Sequence, residues 1–158
     1  MLRAVALAAI LAAGAAVLAG CAQPASARSA GPSMQLTTAY VAQPDVSTGP
    51  TAAYVVIQNN GPADRLVAAR TSAGGAVALR GPSGQGTGAM RTVRWISIPA
   101  HSVLRLNPAS FHLLITGARP MRSGTDITLT LVFARAGALS VAAAVTNAAT
   151  GGSSYLLN

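Results

Sequence analysis

The sequence contains no lysine, no glutamate and one cysteine, and each shortage removes a class of function. Two histidines and three aspartates are its whole stock of groups for proton transfer or hard-metal binding. Zinc hydrolysis needs about three such ligands in one place. A serine triad needs Ser, His and Asp together, and no Gly-x-Ser-x-Gly turn is present to seat the nucleophile. The chain is therefore not expected to be an enzyme. Aromatic residues make up 4% of the sequence, too few for base-stacking platforms. The 11 basic residues, all Arg, give a net charge of +8 against Asp45, Asp64 and Asp126. From Arg65 to Arg135 they are scattered singly, so no nucleic-acid partner is expected. The glycines between Gly81 and Gly88 lack the Gly-Lys-Ser/Thr and the helix that a phosphate loop requires. They read as a hairpin loop beside Met90.

One long apolar run does exist, at the start. Met1-Leu2-Arg3 supplies a positive charge, Ala4 to Val17 is almost purely apolar, and Leu18-Ala19-Gly20-Cys21 follows. This is the layout of a secretory signal peptide, and it is short and Ala-rich for a membrane-spanning helix. Leu-Ala-Gly-Cys resembles the lipobox of bacterial lipoproteins, in which the cysteine thiol accepts a lipid and small residues admit the peptidase. Cys21 is thus the expected lipidation site. The bilayer is its expected partner, on the extracytoplasmic face of the cell membrane. Acylation leaves no thiol for a disulfide or thiolate metal site.

The expected organisation is a signal peptide over 1–20, a flexible tether over 21–34, one domain over 35–147 and a flexible tail over 148–158. Within the domain, short apolar runs rich in β-branched residues alternate with Gly, Pro, Asn and Ser clusters, and no helical period stands out. Nine strands are predicted: Leu36–Val41, Ala52–Gln58, Arg65–Arg70, Ala76–Arg80, Thr92–Ile98, Val103–Leu106, His112–Thr116, Ile127–Ala134 and Leu139–Val145. Ile127-Thr128-Leu129-Thr130-Leu131-Val132-Phe133 shows the period of two most clearly, its odd positions facing a core. The pattern is that of an all-β, immunoglobulin-like antiparallel sandwich.

Several ordered pieces resemble one family. Ala53-Tyr54-Val55-Val56-Ile57-Gln58-Asn59-Asn60-Gly61, Asp64-Arg65-Leu66-Val67, Ile96-Ser97-Ile98-Pro99-Ala100, Leu106-Asn107-Pro108 with Phe111-His112-Leu113, and Leu129-Thr130-Leu131-Val132-Phe133 are similar to segments of the periplasmic copper chaperones called PCu(A)C. The resemblance implies a cupredoxin-like β-sandwich that carries Cu(I) outside the cytoplasm. It implies as partner a copper-requiring oxidase or a second copper chaperone. Its ligand motif is His, ten residues, Met, twenty-one residues, His, one residue, Met. Thioether and imidazole suit soft Cu(I).

Carried over residue by residue, the motif keeps Met90 and His112 with the right spacing. It loses the other two ligands. Arg80, or its neighbour Leu79, stands where the first His belongs, and Leu114 replaces the last Met. Arg has no lone pair to donate, and Leu has no sulfur. Two ligands can still hold Cu(I) weakly. His101 reads as a solvated turn histidine in a hairpin, far from the pair. Met34, in the tether, could swing to the site. Met121 follows Arg119-Pro120, and its direction is not readable. The competing expectation is a metal-free sandwich serving as an interaction or scaffold module, since fold does not dictate function.

Overall fold

The computed structural model describes residues 33–84 and 88–147, and there the apolar runs form ten strands. They are β1 (Met34–Ala42), β2 (Thr51–Asn59), β3 (Asp64–Thr71), β4 (Ala76–Pro82), β5 (Met90–Thr92), β6 (Ile96–Ile98), β7 (Ser102–Arg105), β8 (His112–Thr116), β9 (Asp126–Phe133) and β10 (Gly137–Thr146). The expected lipid-attachment residue Cys21, the signal peptide, most of the tether and the tail lie outside the described residues. Among the described residues no helix is long and apolar enough to cross a membrane.

The strands follow one hydrogen-bonded path, β5-β4-β8-β2-β1-β10-β9-β3-β6, with β7 added beside β2. The path curls so that its apolar face closes on itself. Ala53, Val55 and Ile57 of β2 meet Leu129, Leu131 and Phe133 of β9, Leu113 and Ile115 of β8, and Leu66 of β3 in one buried cluster. The alternation read in β9 holds, with Leu129, Leu131 and Phe133 buried and Thr128 exposed. Each such Leu contributes enough that truncation to Ala costs about 2–5 kcal/mol.

The all-β expectation stands, with some corrections of detail. One pairing is parallel: Tyr40, Val41 and Ala42 of β1 lie beside Ala144, Val145 and Thr146 of β10. The run expected as a single strand over Thr92–Ile98 is two strands. β5 pairs with β4, while β6 pairs with β3 at the far end of the path. The backbone breaks at Val93–Trp95 because its two halves serve different partners. Met34 is not part of a swinging tether. It opens β1 opposite Asn59 and is 4% exposed within the core cluster, so it cannot reach the proposed ligands. Met121 also points into the core.

Buried Asn59 ties the corners together. Its Nδ2 donates to the carbonyls of Pro62 (2.9 Å) and Pro99 (2.8 Å), and its Oδ1 accepts from the Gly61 amide (3.0 Å). His101 sits at this corner, with φ 49° and its amide donating to the Gly61 carbonyl. The strands flanking it do not form a hairpin, because β6 pairs with β3 and β7 with β2.

Asp64, at the start of β3, is a second tie. Its carboxylate accepts from the amides of Arg65 (2.7 Å), Arg135 (3.0 Å) and Ala136 (2.9 Å), and so closes the β9–β10 turn over β3.

Candidate metal centre

The site face follows from strand register. On β4, Arg80 pairs with His112 of β8 on one side and Thr92 of β5 on the other, and Pro82 pairs with Met90. Ala78 pairs with Leu114. Paired residues point the same way, as do residues two apart on a strand. Met90, Arg80, His112 and Leu114 therefore share one face of the sheet. Leu79 pairs with Leu113 on the opposite face, inside the core. Between the two candidates for the lost histidine position, the side chain beside His112 is thus Arg80.

Met90 and His112 are on the same face but not on adjacent strands. β4 lies between them, so their backbones are two strand spacings apart, on the order of 10 Å. Their side chains must converge over β4, at the place that Arg80 occupies. The guanidinium is committed there to β5: Nη2 donates to the Met90 carbonyl at 2.6 Å and Nη1 to the Thr92 hydroxyl at 3.0 Å. These bonds help hold a three-residue edge strand whose strand partner is β4.

The approach to β8 is shaped from below. The chain leaves β7 at Leu106, loops through Asn107 to Ser110 with the Asn107 amide donating to the Phe111 carbonyl, and re-enters the sheet at His112. A Cβ on Gly81 would stand 2.6 Å from the Phe111 ring, so only glycine lets β4 pass over it. Next to Met90 an open concavity of about 670 Å³ is lined by Pro82, Ser83, Gly84, Gly88 and Ala89 among others. Met90 therefore borders open space.

His112 is half-buried, and its Nδ1 is fully buried with no hydrogen bond among the described residues. Tyr54 stands beside it, ring centroids 6.3 Å apart, and Tyr40 packs on Tyr54 at 4.8 Å. Burial raises the pKa of both phenols, and the Tyr54 charge adds to this at Tyr40, so both stay neutral. Burial likewise holds His112 below its ordinary value. The Ser110 backbone pulls it part of the way back without an aligned bond to Nδ1, and the Arg80 charge lowers it further. The imidazole is consequently neutral at pH 7, the form that ligates metals.

The remaining candidates lie elsewhere. His101 faces the Asn59 corner, roughly 17 Å along β2 from the level of His112. Among the described residues no three His, Cys, Asp or Glu side chains gather. Any metal held on this face would rely on methionine sulfur. Asp64 was legible in sequence only as part of a family segment, because two of its three amide partners, Arg135 and Ala136, stand 71 and 72 residues away.

The LpqE-like family model matches residues 34–145. Solved structures that share the fold include the following. The copper-bound PCuAC domain from PmoF2 is 20% identical, with a TM-score of 0.63 over 73% of this chain and 93% of that one. The copper(I) form of DR1885 from Deinococcus radiodurans is 31% identical, with a TM-score of 0.55 over 68% of this chain and 74% of that one. Its apo form is 27% identical with a TM-score of 0.55, over 90% and 97% of the two chains. No curated protein matches the sequence significantly. The shared architecture is the cupredoxin-like β-sandwich.

Proposed function

From the premise that the chain belongs to the LpqE-like family, we propose that it is a membrane-anchored, extracytoplasmic copper(I)-chaperone-like lipoprotein. It binds Cu(I) through Met90 and His112 and hands it to another copper protein, such as a copper-requiring oxidase or a second chaperone. Cys21 holds it to the bilayer. The copper part draws on the DR1885 likeness, where the related domain carries Cu(I).

One observation carries the reading: His112 is neutral, shares a face with Met90 and buries a ring nitrogen with no hydrogen-bond partner among the described residues. A buried polar nitrogen left without a partner costs about 1–3 kcal/mol, and a neutral imidazole can meet that cost by giving its unprotonated nitrogen to a soft cation. Thioether and neutral imidazole fit Cu(I) and fit hard cations poorly. Two neutral ligands next to a guanidinium make a weak site, suited to release. No catalytic step is assigned to it.

A second reading is favoured by Arg80 and Leu114. They fill half of the PCu(A)C ligand positions with groups that cannot bind metal, and Arg80 works as a clamp on β5. A sandwich kept as a metal-free interaction module would look the same there.

Competitive Cu(I) titration of the mature protein beside Met90→Ala and His112→Ala separates the two. Each variant should lose at least about 100-fold in affinity, more than loss of an outer-shell partner usually costs. Equal weak binding by all three proteins favours the scaffold.

A further inference from the structure

The sequence holds one tryptophan, and the structure leaves it outside. Trp95 is 48% exposed, just before the three-residue edge strand β6. An exposed large apolar side chain is more informative than a buried one. Three arginines surround it. Arg65, paired in register with Ser97 of β6, lays its guanidinium over the Trp95 ring at 5.6 Å from the centroid. Arg91 and Arg94, both exposed, share with Trp95 an open concavity of about 340 Å³. Val67 stands two residues beyond Arg65, at the irregularity where β3 shifts register against β9, and is 40% exposed. The patch has no acidic residue. Of the chain's three aspartates, Asp64 is buried on backbone amides. An anionic surface that also offers an apolar layer to an indole fits this patch.

The entry point of the chain narrows the choice. Ser33 is held at the Asn60–Gly61 corner by the bond from the Asn60 amide to its carbonyl. Pro99 lies at that same corner, and Trp95 is four residues back along β6, roughly 13 Å away. Twelve residues, the number separating Cys21 from Ser33, can reach at most about 40 Å even when fully extended. A lipid on Cys21 thus keeps the patch within reach of a bilayer surface. Indole at the headgroup level, with guanidinium on lipid phosphate, is how interfacial aromatic and basic residues partition.

We propose that Trp95, Arg65, Arg91 and Arg94 form a docking surface for the anionic headgroup plane of the membrane, fixing the orientation of the tethered domain. The proposal rests on the lipoprotein part of the function above and is independent of copper. The single tryptophan is its own probe. The mature lipidated protein is mixed with vesicles of phosphatidylcholine, or of equimolar phosphatidylglycerol and phosphatidylcholine. Flotation reports the anchor, and Trp95 emission with brominated-lipid quenching reports docking. The expected result is flotation with both, and a blue shift with quenching only in the anionic vesicles. Near an anionic surface each basic residue contributes about a factor of five in partitioning. Arg91→Gln with Arg94→Gln should lower the docked population about 25-fold. Salt raised toward 1 M, where screening reaches about 3 Å, should release the wild-type domain in the same way, without any substitution. Flotation with Trp95 emission indifferent to lipid charge overturns the proposal and leaves an acidic protein face as the occupant. Failure to float with phosphatidylcholine overturns the anchor instead. Docking then stands or falls on whether Trp95 is still quenched in the anionic vesicles.

Discussion

Replacing Arg80 with Gln should tighten Cu(I) binding, and the size of the gain follows from where the guanidinium sits. Arg80 lies on the strand between those of Met90 and His112 and shares their face. A cation held by that pair would sit a little more than one strand spacing from the guanidinium, on the order of 6 Å. Two like charges at that distance repel by about 3 kcal/mol with an effective dielectric of 20. Arg80 is half-exposed, so solvent and salt reduce this to about 1–1.5 kcal/mol, or roughly tenfold in affinity. Gln removes the charge and retains a donor for the Met90 carbonyl. Competition against a chromophoric Cu(I) chelator at fixed pH and low salt measures the effect, with the melting temperature as a check on β5. Arg80→His should gain more, because it removes the charge and adds an imidazole next to His112. The order His, then Gln, then Arg is the expected result. If Gln binds no more tightly than Arg, the charge is not what weakens the site, and the assignment of Met90 and His112 as ligands loses its electrostatic support.

Copper binding should persist below pH 6.5 and fail only as pH falls through the lowered His112 pKa, because protonation removes the lone pair; a titration of Cu(I) affinity against pH checks this. In the copper-free protein the same shift has a stability consequence. The unfolded chain binds a proton at His112 near pH 6.5 while the folded chain still resists it, so stability falls from about that pH downward and levels off below the folded value. His112→Ala should flatten that part of the stability–pH curve. Asp64→Ala leaves three backbone amides without the carboxylate. Water can reach the exposed turn, so the expected loss is about 3 kcal/mol, near 10 °C in melting temperature. Asp64→Asn, which keeps one oxygen acceptor, should lose about half as much. A scan of both variants tests this, and equal melting of Asp64→Ala and wild type would refute the tie between β3 and the β9–β10 turn.

The membrane and copper readings make separate demands on the molecule. The patch runs from Arg91 of β5 through Arg94 and Trp95 to Arg65 of β3, whereas Met90 and His112 face the side that carries Tyr54. Docking through Trp95 would fix which way that face is presented to a copper donor or acceptor.

Much of this was legible before any coordinates, and for a local reason. Side-chain alternation is a property of neighbouring residues, so the strands around Leu129 and Ile57 could be read directly. The spacing of Met90 and His112 could be counted. The limits of that reading are equally physical. Only pairing between distant strands put Arg80, not Leu79, beside His112, and sent its guanidinium to the Met90 carbonyl. Residues 92–98 read as one strand because their composition is continuous; they are two because β4 and β3 each claim one half. Met34 read as tether because Gly31, Pro32 and Ser33 precede it, yet its partner Asn59 draws it into the core. Composition and spacing thus determined the all-β class, and the resemblance to PCu(A)C singled out the two possible ligands. The shared face, the clamp and the exposed tryptophan were decided by tertiary structure, because each depends on residues that meet only when the sheet curls.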